Sequence, residues 1–495
     1  MEKFSIKKDT IAAIATAMSD SGIGIIRVSG EDAINIVDKV YRNAKNEKVL
    51  IKYNSHTIHY GFIVREDGTV LDEVMVSVMK APKSYTAEDT VEINCHGGIL
   101  LMRKILELVI QSGSRIAEPG EFTKRAFLNG RLDLSEAEAV MDIIHAKNEF
   151  ALQSSVKQLK GSVSEMIKEI REGIIHEIAF IEAALDDPEH FDLEAEGYNE
   201  DLLKKVEKIE KEIHKLIDSA EDGRILSEGI YTVIVGKPNA GKSSLLNVLV
   251  GEERAIVTDI AGTTRDILEE TISIDGIMFR ILDTAGIRST EDVVEKIGVD
   301  RAKKAVEEAD LVLYVIDSSV PFDKNDESIL EMIEGKNTIV LLNKSDLAAA
   351  VTEENIRSVA SKISKEENGQ NQRNSDIVDV KKLDKRIYNV NRIIKTSMKK
   401  RDGIELFLKT VKEMFFHGDI VYNDEVYITN MRHKEALQDA YDSLLQVHKS
   451  IEDRMPEDFY TIDLMSAYEK LGLIIGESVE DDLVNEIFSK FCMGK

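Results

Sequence analysis

The rhythm of apolar and polar positions changes along this chain, and each change predicts a different kind of structure. Up to about residue 130, short β-type runs (Gly24–Val28, Thr57–Val64, Glu73–Met79 and Thr90–Asn94) alternate with helical stretches such as Ile99–Gln111, the texture of an α+β domain. From Ser135 to about Asp222 the period turns helical. Leu202, Val206, Ile209, Ile213 and Leu216 recur at helical spacing on a charged background, the single apolar stripe of an amphipathic helix. A break at Asp186–Pro188 separates that helix from an earlier pair. From about Gly229 to Phe416 apolar strands alternate with helices, the βαβ pattern of a parallel sheet. After His417 the pattern is helical to the end.

These textures predict an N-terminal domain over 1–130, a helical domain built from 131–228 and 417–495, and an α/β domain over 229–416 inserted into the helical one. Insertions are tolerated where chain ends lie close together at a surface. The polar, charged stretch Ser364–Arg386 reads as a solvated loop of the inserted domain.

The inserted segment carries the clearest chemistry. The apolar strand Tyr231–Val235 runs into Gly236-Lys237-Pro238-Asn239-Ala240-Gly241-Lys242-Ser243, and Leu245–Val250 opens a helix. This satisfies G-x-x-x-x-G-K-S in the strand–loop–helix setting that gives the motif its meaning. Backbone N–H groups of Asn239–Ser244 can curl around phosphate oxygens. Lys242 would neutralise the β- and γ-phosphates, Ser243 would ligate Mg²⁺, and the helix N-terminus adds its dipole. Downstream, Thr264 of Gly262-Thr263-Thr264 is the candidate second Mg²⁺ ligand. Phe279–Leu282 is a strand ending in Asp283-Thr284-Ala285-Gly286, where Asp283 would hold the magnesium shell and the Gly286 N–H would meet the γ-phosphate. Thr338–Leu342 ends in Asn343-Lys344-Ser345-Asp346. The Asp346 carboxylate can accept from both N1–H and the 2-amino group of guanine, a pair adenine lacks, so the motif selects GTP over ATP. Thr396-Ser397-Met398 is placed to close over the base, although it departs from the usual Ser-Ala start.

Water activation needs a further group. Ile287, just after the Asp-x-x-Gly motif, can neither orient nor deprotonate water, whereas Asp292 and Glu295 in the following segment both can. Arg265 and Arg288 stand in the same switch regions, as charge-stabilising groups or as plain surface ion pairs.

Composition narrows the picture. A length of 495 residues fits about three domains. The chain is 43% hydrophobic and 31% charged, and no apolar run reaches the roughly 18 residues of a membrane span. Lys7 and Lys8 before Ile11–Met18 loosely imitate a signal peptide, but the apolar stretch is short and runs on into strand-like sequence, so it is read as part of the first domain. Cys95 and Cys492 have no metal-ligand spacing and suggest no disulfide framework, which fits a reducing cytoplasm. The net charge of −27 argues against general coating by nucleic acid, so an RNA partner would have to meet a local basic patch or be shared with a second protein.

With these motifs in place, the sequence closely resembles the tRNA-uridine modification GTPase family MnmE (TrmE) over essentially its whole length. The resemblance is carried by Gly22–Gly30 (GIGIIRVSG), Asn94–Gly98 (NCHGG), Pro119–Arg131 (PGEFTKRAFLNGR), Gly236–Ser244 (GKPNAGKSS), Thr258–Asp266 (TDIAGTTRD) and the FC-x-G-K ending Phe491–Lys495. It implies a folate-binding-like α+β N-terminal domain, a helical domain and an inserted Ras-like P-loop G domain. Asn239, Thr258, Ile260 and Thr263 match the family's potassium-binding positions, and the whole loop Thr258, Asp259, Ile260, Ala261, Gly262, Thr263, Thr264 would line the GTP site. A monovalent cation there could neutralise charge developing at the β–γ bridge, the task of an arginine finger elsewhere. Glu295 matches the family's water-orienting glutamate.

The resemblance also implies that Arg27, Glu92, Arg131 and Lys495 bind a 5-formyl-tetrahydrofolate or related one-carbon folate. Arg131 stands where some relatives have Lys. Cys492 belongs to the terminal motif and could supply a thiol near the folate. Further implied are a homodimer through the N-terminal domain, G domains that meet face to face during hydrolysis, a flavoprotein partner MnmG (GidA) in a heterotetramer, and a carboxymethylaminomethyl-type group added to C5 of wobble uridine (U34) in certain tRNAs. A ribosome-assembly GTPase could share such a G domain. It would not account for the N-terminal domain or the FC-x-G-K ending, and it would normally carry a basic RNA-binding appendage.

Overall fold

The computed structural model describes residues 9–187, 198–251, 269–282, 303–358, 392–416, 427–477, 481–491 and 494. The chain divides into two compact units. The first comprises Met1–His145, Leu152–Ile217 and Met431–Lys495, and the second Ala146–Ala151 with Asp218–Asn430.

The first unit begins with a seven-stranded sheet of spatial order β3-β4-β5-β6-β2-β1-β7. Its strands are β1 (Ile11–Ile14), β2 (Ser21–Ser29), β3 (Tyr41–Asn43), β4 (Thr57–Val64), β5 (Val70–Met79), β6 (Thr90–Gly97) and β7 (Arg115–Ile116). All pair antiparallel except β1 with β7. The helices α1 (Ala33–Val40) and α2 (Ile99–Gln111) supply apolar stripes such as Met102, Ile105 and Val109, which join Ile26, Val28, Val91 and Ile93 in one core. Strand pleating alternates side chains between faces. Hence Val91, Ile93 and Cys95 of β6 are buried in that core while Glu92, Asn94 and His96 are less enclosed on the other face, where Glu92 pairs in register with Arg27 of β2. Burial pushes the Cys95 thiol up to about 11, with Asp72 adding to the shift, so this cysteine is no nucleophile near neutrality.

The rest of the first unit is helical: α3 (Glu121–Leu128), α4 (Leu134–His145), the unit's share of α5 (Glu149–Leu159), α6 (Ser162–Asp186) and the unit's share of α7 (Tyr198–Glu228). Three helices therefore lie between α3 and the break at Asp186, where periodicity alone suggested a pair. The extra boundaries are short-range devices. The Asn148 side chain accepts from the Ala151 N–H at the start of α5, and Gly161 at φ +92° starts α6. On α7, Leu202, Val206, Ile209, Ile213 and Leu216 are all buried, as their spacing requires.

Later in the chain come α11 (Met431–Glu452), α12 (Glu457–Ile475) and α13 (Asp481–Ser489). In α11 the Arg432 guanidinium donates to both oxygens of Glu138 on α4, and buried His433 contacts the same carboxylate at 2.8 Å. Burial alone would raise the Glu138 pKa; His433 and Arg432 outweigh it and hold the group down at about 2. The terminal helix α13 packs against α4 and the turn that precedes α3. Val484, Phe488 and Phe491 pack with Leu134, Ala137 and Met141, and a Cβ on Gly120 (φ +67°) would stand 2.5 Å from the Phe488 carbonyl oxygen.

The second unit holds a six-stranded sheet of order β13-β12-β11-β8-β10-β9. Its strands are β8 (Ile230–Val235), β9 (Glu269–Ile274), β10 (Ile277–Leu282), β11 (Leu311–Asp317), β12 (Thr338–Asn343) and β13 (Ile393–Lys395), all parallel to their neighbours except β9. The helices include α8 (Lys242–Gly251), α9 (Lys324–Met332) and α10 (Ile404–Phe415). Parallel strands covered on both faces read as continuous apolar runs. In β11, Leu311, Leu313 and Val315 enter a core with α8 and α10, while Val312, Tyr314 and Ile316 enter a second core on the opposite face that also takes in Leu330 of α9. Among the described residues no helix is long and apolar enough to cross a membrane.

Candidate functional site

The ends of β8 and β12 converge on one cavity of about 830 Å³, lined by Asn239, Gly241, Lys242, Ser243, Ser244, Asn343, Lys344, Asp346 and Met398, among others. Ligands in such sheets bind beyond the carboxyl ends of the strands, and that is where both motifs fall.

The phosphate-type loop has its own internal frame. Gly236 sits at φ +148°, and a Cβ there would lie 2.3 Å from the Val315 carbonyl oxygen of β11. Gly241, at φ +107°, faces the Asn343 side chain just as closely. Asn239 takes a left-handed conformation at φ +63°, which asparagine tolerates better than most residues. The Lys242 ammonium donates to the carbonyls of Gly236 and Lys237, each at 2.9 Å, which draws it back over its own loop. Ala240 is buried, its carbonyl accepting from Asn343 Nδ2 at 2.9 Å. Asn343 therefore ties the phosphate loop to the base end of the cavity, and its Oδ1 accepts from the Met398 N–H.

At the base end, Ser397 Oγ donates to Asp346 Oδ1 at 2.7 Å. That bond is the main reason the Asp346 carboxyl titrates below its ordinary value, with Lys400 and Lys399 adding to it, so the group is an anion in the neutral range. Lys344, at φ +60°, forms an ion pair with Asp317 Oδ2 at 2.6 Å. Burial would raise Asp317, but the bonds from Lys344 and Ser319 reverse the shift and lower it. The Thr396–Met398 segment thus borders the cavity despite its unusual start.

A second cluster gathers on the N-terminal sheet. Arg27 Nε donates to Glu92 Oε1 at 2.8 Å, and its Nη1 donates to the Gly494 carbonyl at 3.2 Å. The Arg27 guanidinium lies 5.2 Å from the Tyr85 ring centre and 5.6 Å from that of Phe122. Arg131 stacks on the same tyrosine at 4.9 Å and donates to its carbonyl oxygen at 2.8 Å. Arg27, Glu92, Arg131 and Gly494 are therefore neighbours. Sequence reasoning passed over Tyr85 and Phe122; an aromatic residue in the polar loop Pro82–Asp89 was the available signal for the first. It also passed over Asp317 and Lys399 near the nucleotide cavity.

Thr258–Thr264, Asp283–Gly286, Glu295 and Lys495 lie outside the described residues, as do Arg265, Ile287, Arg288, Asp292, Cys492 and the polar stretch 364–386.

The sheet order, the glycine loop after its first strand and the Asn-Lys-x-Asp turn make the second unit a Ras-like G domain. Comparison with known proteins names the rest. Residues 10–131 match the family model described as GTP-binding protein TrmE N-terminus, and residues 134–492 match the MnmE helical domain. A tRNA modification GTPase MnmE of Lachnoclostridium phytofermentans is 54% identical, over 99% of this chain and 100% of its own length. The protein of the same name from Acetivibrio thermocellus is 46% identical over 99% and 100% of the two chains. That of Bacillus subtilis is 44% identical over 98% and 100%. The chain belongs to the MnmE family.

Proposed function

We propose that this chain is a GTP hydrolase that acts in tRNA modification, working from the cytoplasm with a flavoprotein of the MnmG type to add a carboxymethylaminomethyl-type group to C5 of wobble uridine. The observation that carries the GTPase half is the cavity joining Lys242 and Ser243 to Asp346: a phosphate end and a guanine-selective end in one pocket. The tRNA half rests on family membership across nearly the whole chain. The test is mass spectrometry of wobble uridines from cells lacking the protein. The modified nucleoside should disappear and its unmodified precursor accumulate; an unchanged nucleoside profile would remove the tRNA half of the reading.

Ser243 and Lys242 suit a Mg²⁺–triphosphate, since a hydroxyl and an ammonium stand together at the start of α8. When bound, Mg²⁺ would neutralise phosphate charge, with Thr264 as its second protein ligand and Asp283 behind it. Potassium would be held by Asn239 with Thr258, Ile260 and Thr263.

The N-terminal cluster suits a one-carbon folate. Among the described residues, Glu92 Oε1 is tied to Arg27 and no partner takes Oε2, which leaves an acceptor for a donor-rich heterocycle edge. Tyr85 offers a ring, and Arg27 and Arg131 offer cations for an acidic tail. Lys495, one residue beyond Gly494, would complete the set. A folate there would supply the one-carbon unit. A chain lacking Phe491–Lys495 should keep GTP binding while its affinity for 5-formyl-tetrahydrofolate drops roughly 10- to 100-fold, the loss of one charge-assisted contact. Calorimetry reads this directly, and unchanged folate affinity would strike Lys495 from the site.

A homodimer through the N-terminal domain accounts for an apolar surface. Ile58, Tyr60 and Met75 lie exposed on one face of β4 and β5, with Tyr60 and Met75 directly opposite each other in register.

A further inference from the structure

The second residue of the phosphate loop is held by a brace that the nucleotide motifs do not include. Lys237 Nζ lies 2.5 Å from Asp326 Oδ2 and 3.0 Å from Asp323 Oδ2. Asp326 is only 1% exposed, and its other oxygen accepts from the hydroxyl of fully buried Tyr314 at 2.8 Å. Three elements meet here: the loop after β8, strand β11 through Tyr314, and the first turn of α9.

The helix does not need Lys237. Asp323 caps α9 by accepting from the N–H groups of Asn325 and Asp326, and Asp326 Oδ2 accepts in return from the Asp323 N–H, a complete capping box. A cation at a helix N-terminus is moreover disfavoured by the helix dipole. The beneficiary is therefore the loop. The Lys237 carbonyl accepts from the Lys242 ammonium, so the residue pinned at its side chain by Asp326 is the one that receives Lys242 on its backbone.

We propose that Lys237, Asp326 and Tyr314 form a positioning brace that holds the phosphate loop in its nucleotide-binding shape, an inference that rests on reading the cavity as a GTP site. Lys237 acts through the loop backbone and Lys242, and is a positioning residue. Burial alone would lower the Lys237 pKa, but its bonds to Asp326 and Asp323 outweigh this and raise it, so the cation persists. Tyr314 is shifted upward, first by burial and then by Asp326, so its hydroxyl remains a donor throughout the neutral range.

The test is fluorescence titration of the full chain with mant-GDP and mant-GTP in Mg²⁺, together with steady-state GTP turnover. Lys237→Met should weaken both nucleotides by about tenfold, the low end for a lost charge-assisted bond. KM should rise while kcat stays close to wild type. Lys237→Arg, whose guanidinium can serve both carboxylates, should restore most of the affinity. Tyr314→Phe should cause a smaller loss of the same kind, since it removes a donor to Asp326 and leaves Lys237 in place. A Lys237→Met protein with wild-type affinity, or a Lys237→Arg protein no better than Lys237→Met, overturns the brace. Should Lys237→Met fail to fold, wild-type affinity in Tyr314→Phe overturns it equally. A wild-type chain that binds neither nucleotide would instead overturn the GTP reading, and the brace with it.

Discussion

Replacing Asp346 with Asn is expected to turn this protein from a guanine-nucleotide binder into a xanthine-nucleotide binder. A carboxylate offers only acceptors, and guanine meets it with two donors, N1–H and the 2-amino group. An Asn side chain keeps one acceptor and substitutes an NH₂ donor, which would face the 2-amino group of guanine donor to donor. Xanthine keeps N1–H but carries a carbonyl at C2, and so matches Asn. The structure supplies the rigidity that makes such a swap severe. Ser397 fixes one Asp346 oxygen at 2.7 Å, and the turn that carries Asp346 is anchored through Asn343 to both Ala240 and Met398. Sites built to hydrogen-bond a substrate reject a mismatched analogue by about 10⁴-fold, and the GTP-to-XTP affinity ratio should shift by that order. Calorimetric titration of the variant and the wild-type chain with GTP and with XTP measures it. A variant that still prefers GTP would mean that Asp346 does not read the base. Ser397→Ala should weaken GTP while leaving the preference for guanine in place.

Glu295→Ala is expected to slow GTP hydrolysis by roughly 10²–10⁴-fold with nucleotide affinity nearly unchanged, the signature of losing a group that positions or deprotonates water. Ile287 stands where many GTPases carry a glutamine and offers no polar atom, so another side chain must orient the nucleophile. Turnover should be measured in both potassium and sodium. The wild-type chain should be much faster in potassium, because a smaller ion cannot reach the same oxygens without strain. Asn239→Ala should remove that preference while leaving Glu295 in place. If Glu295→Ala hydrolyses normally and Asp292→Ala does not, the neighbouring carboxylate has the role. Equal wild-type rates in the two salts would dismiss the cation.

Much of this molecule is legible in its amino-acid order because the relevant physics is short-range. Pleating makes strands out of Thr57–Val64 and Thr338–Asn343, helical spacing makes a buried stripe of Leu202–Leu216, and a glycine loop between an apolar strand and a helix start can only be a tight turn. The candidate phosphate and guanine motifs are likewise contained in Gly236–Ser243 and Asn343–Asp346, since each carries its donors and acceptors within a few residues.

Helix boundaries were less legible, because they depend on single residues, a capping side chain at one and a positive φ at the other. Asn148 and Gly161 divide a stretch that periodicity alone runs together. The Arg27–Glu92–Arg131 cluster was legible as a candidate ligand site only through resemblance to a family. Arg27 and Glu92 look like ordinary strand residues until β2 and β6 are paired in register.

Contacts between distant parts of the chain belong to the tertiary structure alone. The Gly494 carbonyl meets Arg27 across 467 positions, because Phe488 and Phe491 bury themselves against α4 and carry the terminus back with them. Asp326 reaches Lys237 because β11 and β8 are adjacent in the sheet although far apart in sequence. Ser397 reaches Asp346 because β13 lies beside β12. The sequence by itself determined which groups can bind phosphate, read guanine or carry charge, for those are properties of single side chains and short turns. Only the fold decided which of them stand within hydrogen-bond distance, because that proximity comes from strand pairing and core burial, and a local pattern that marks one group does not fix the distance to its partner.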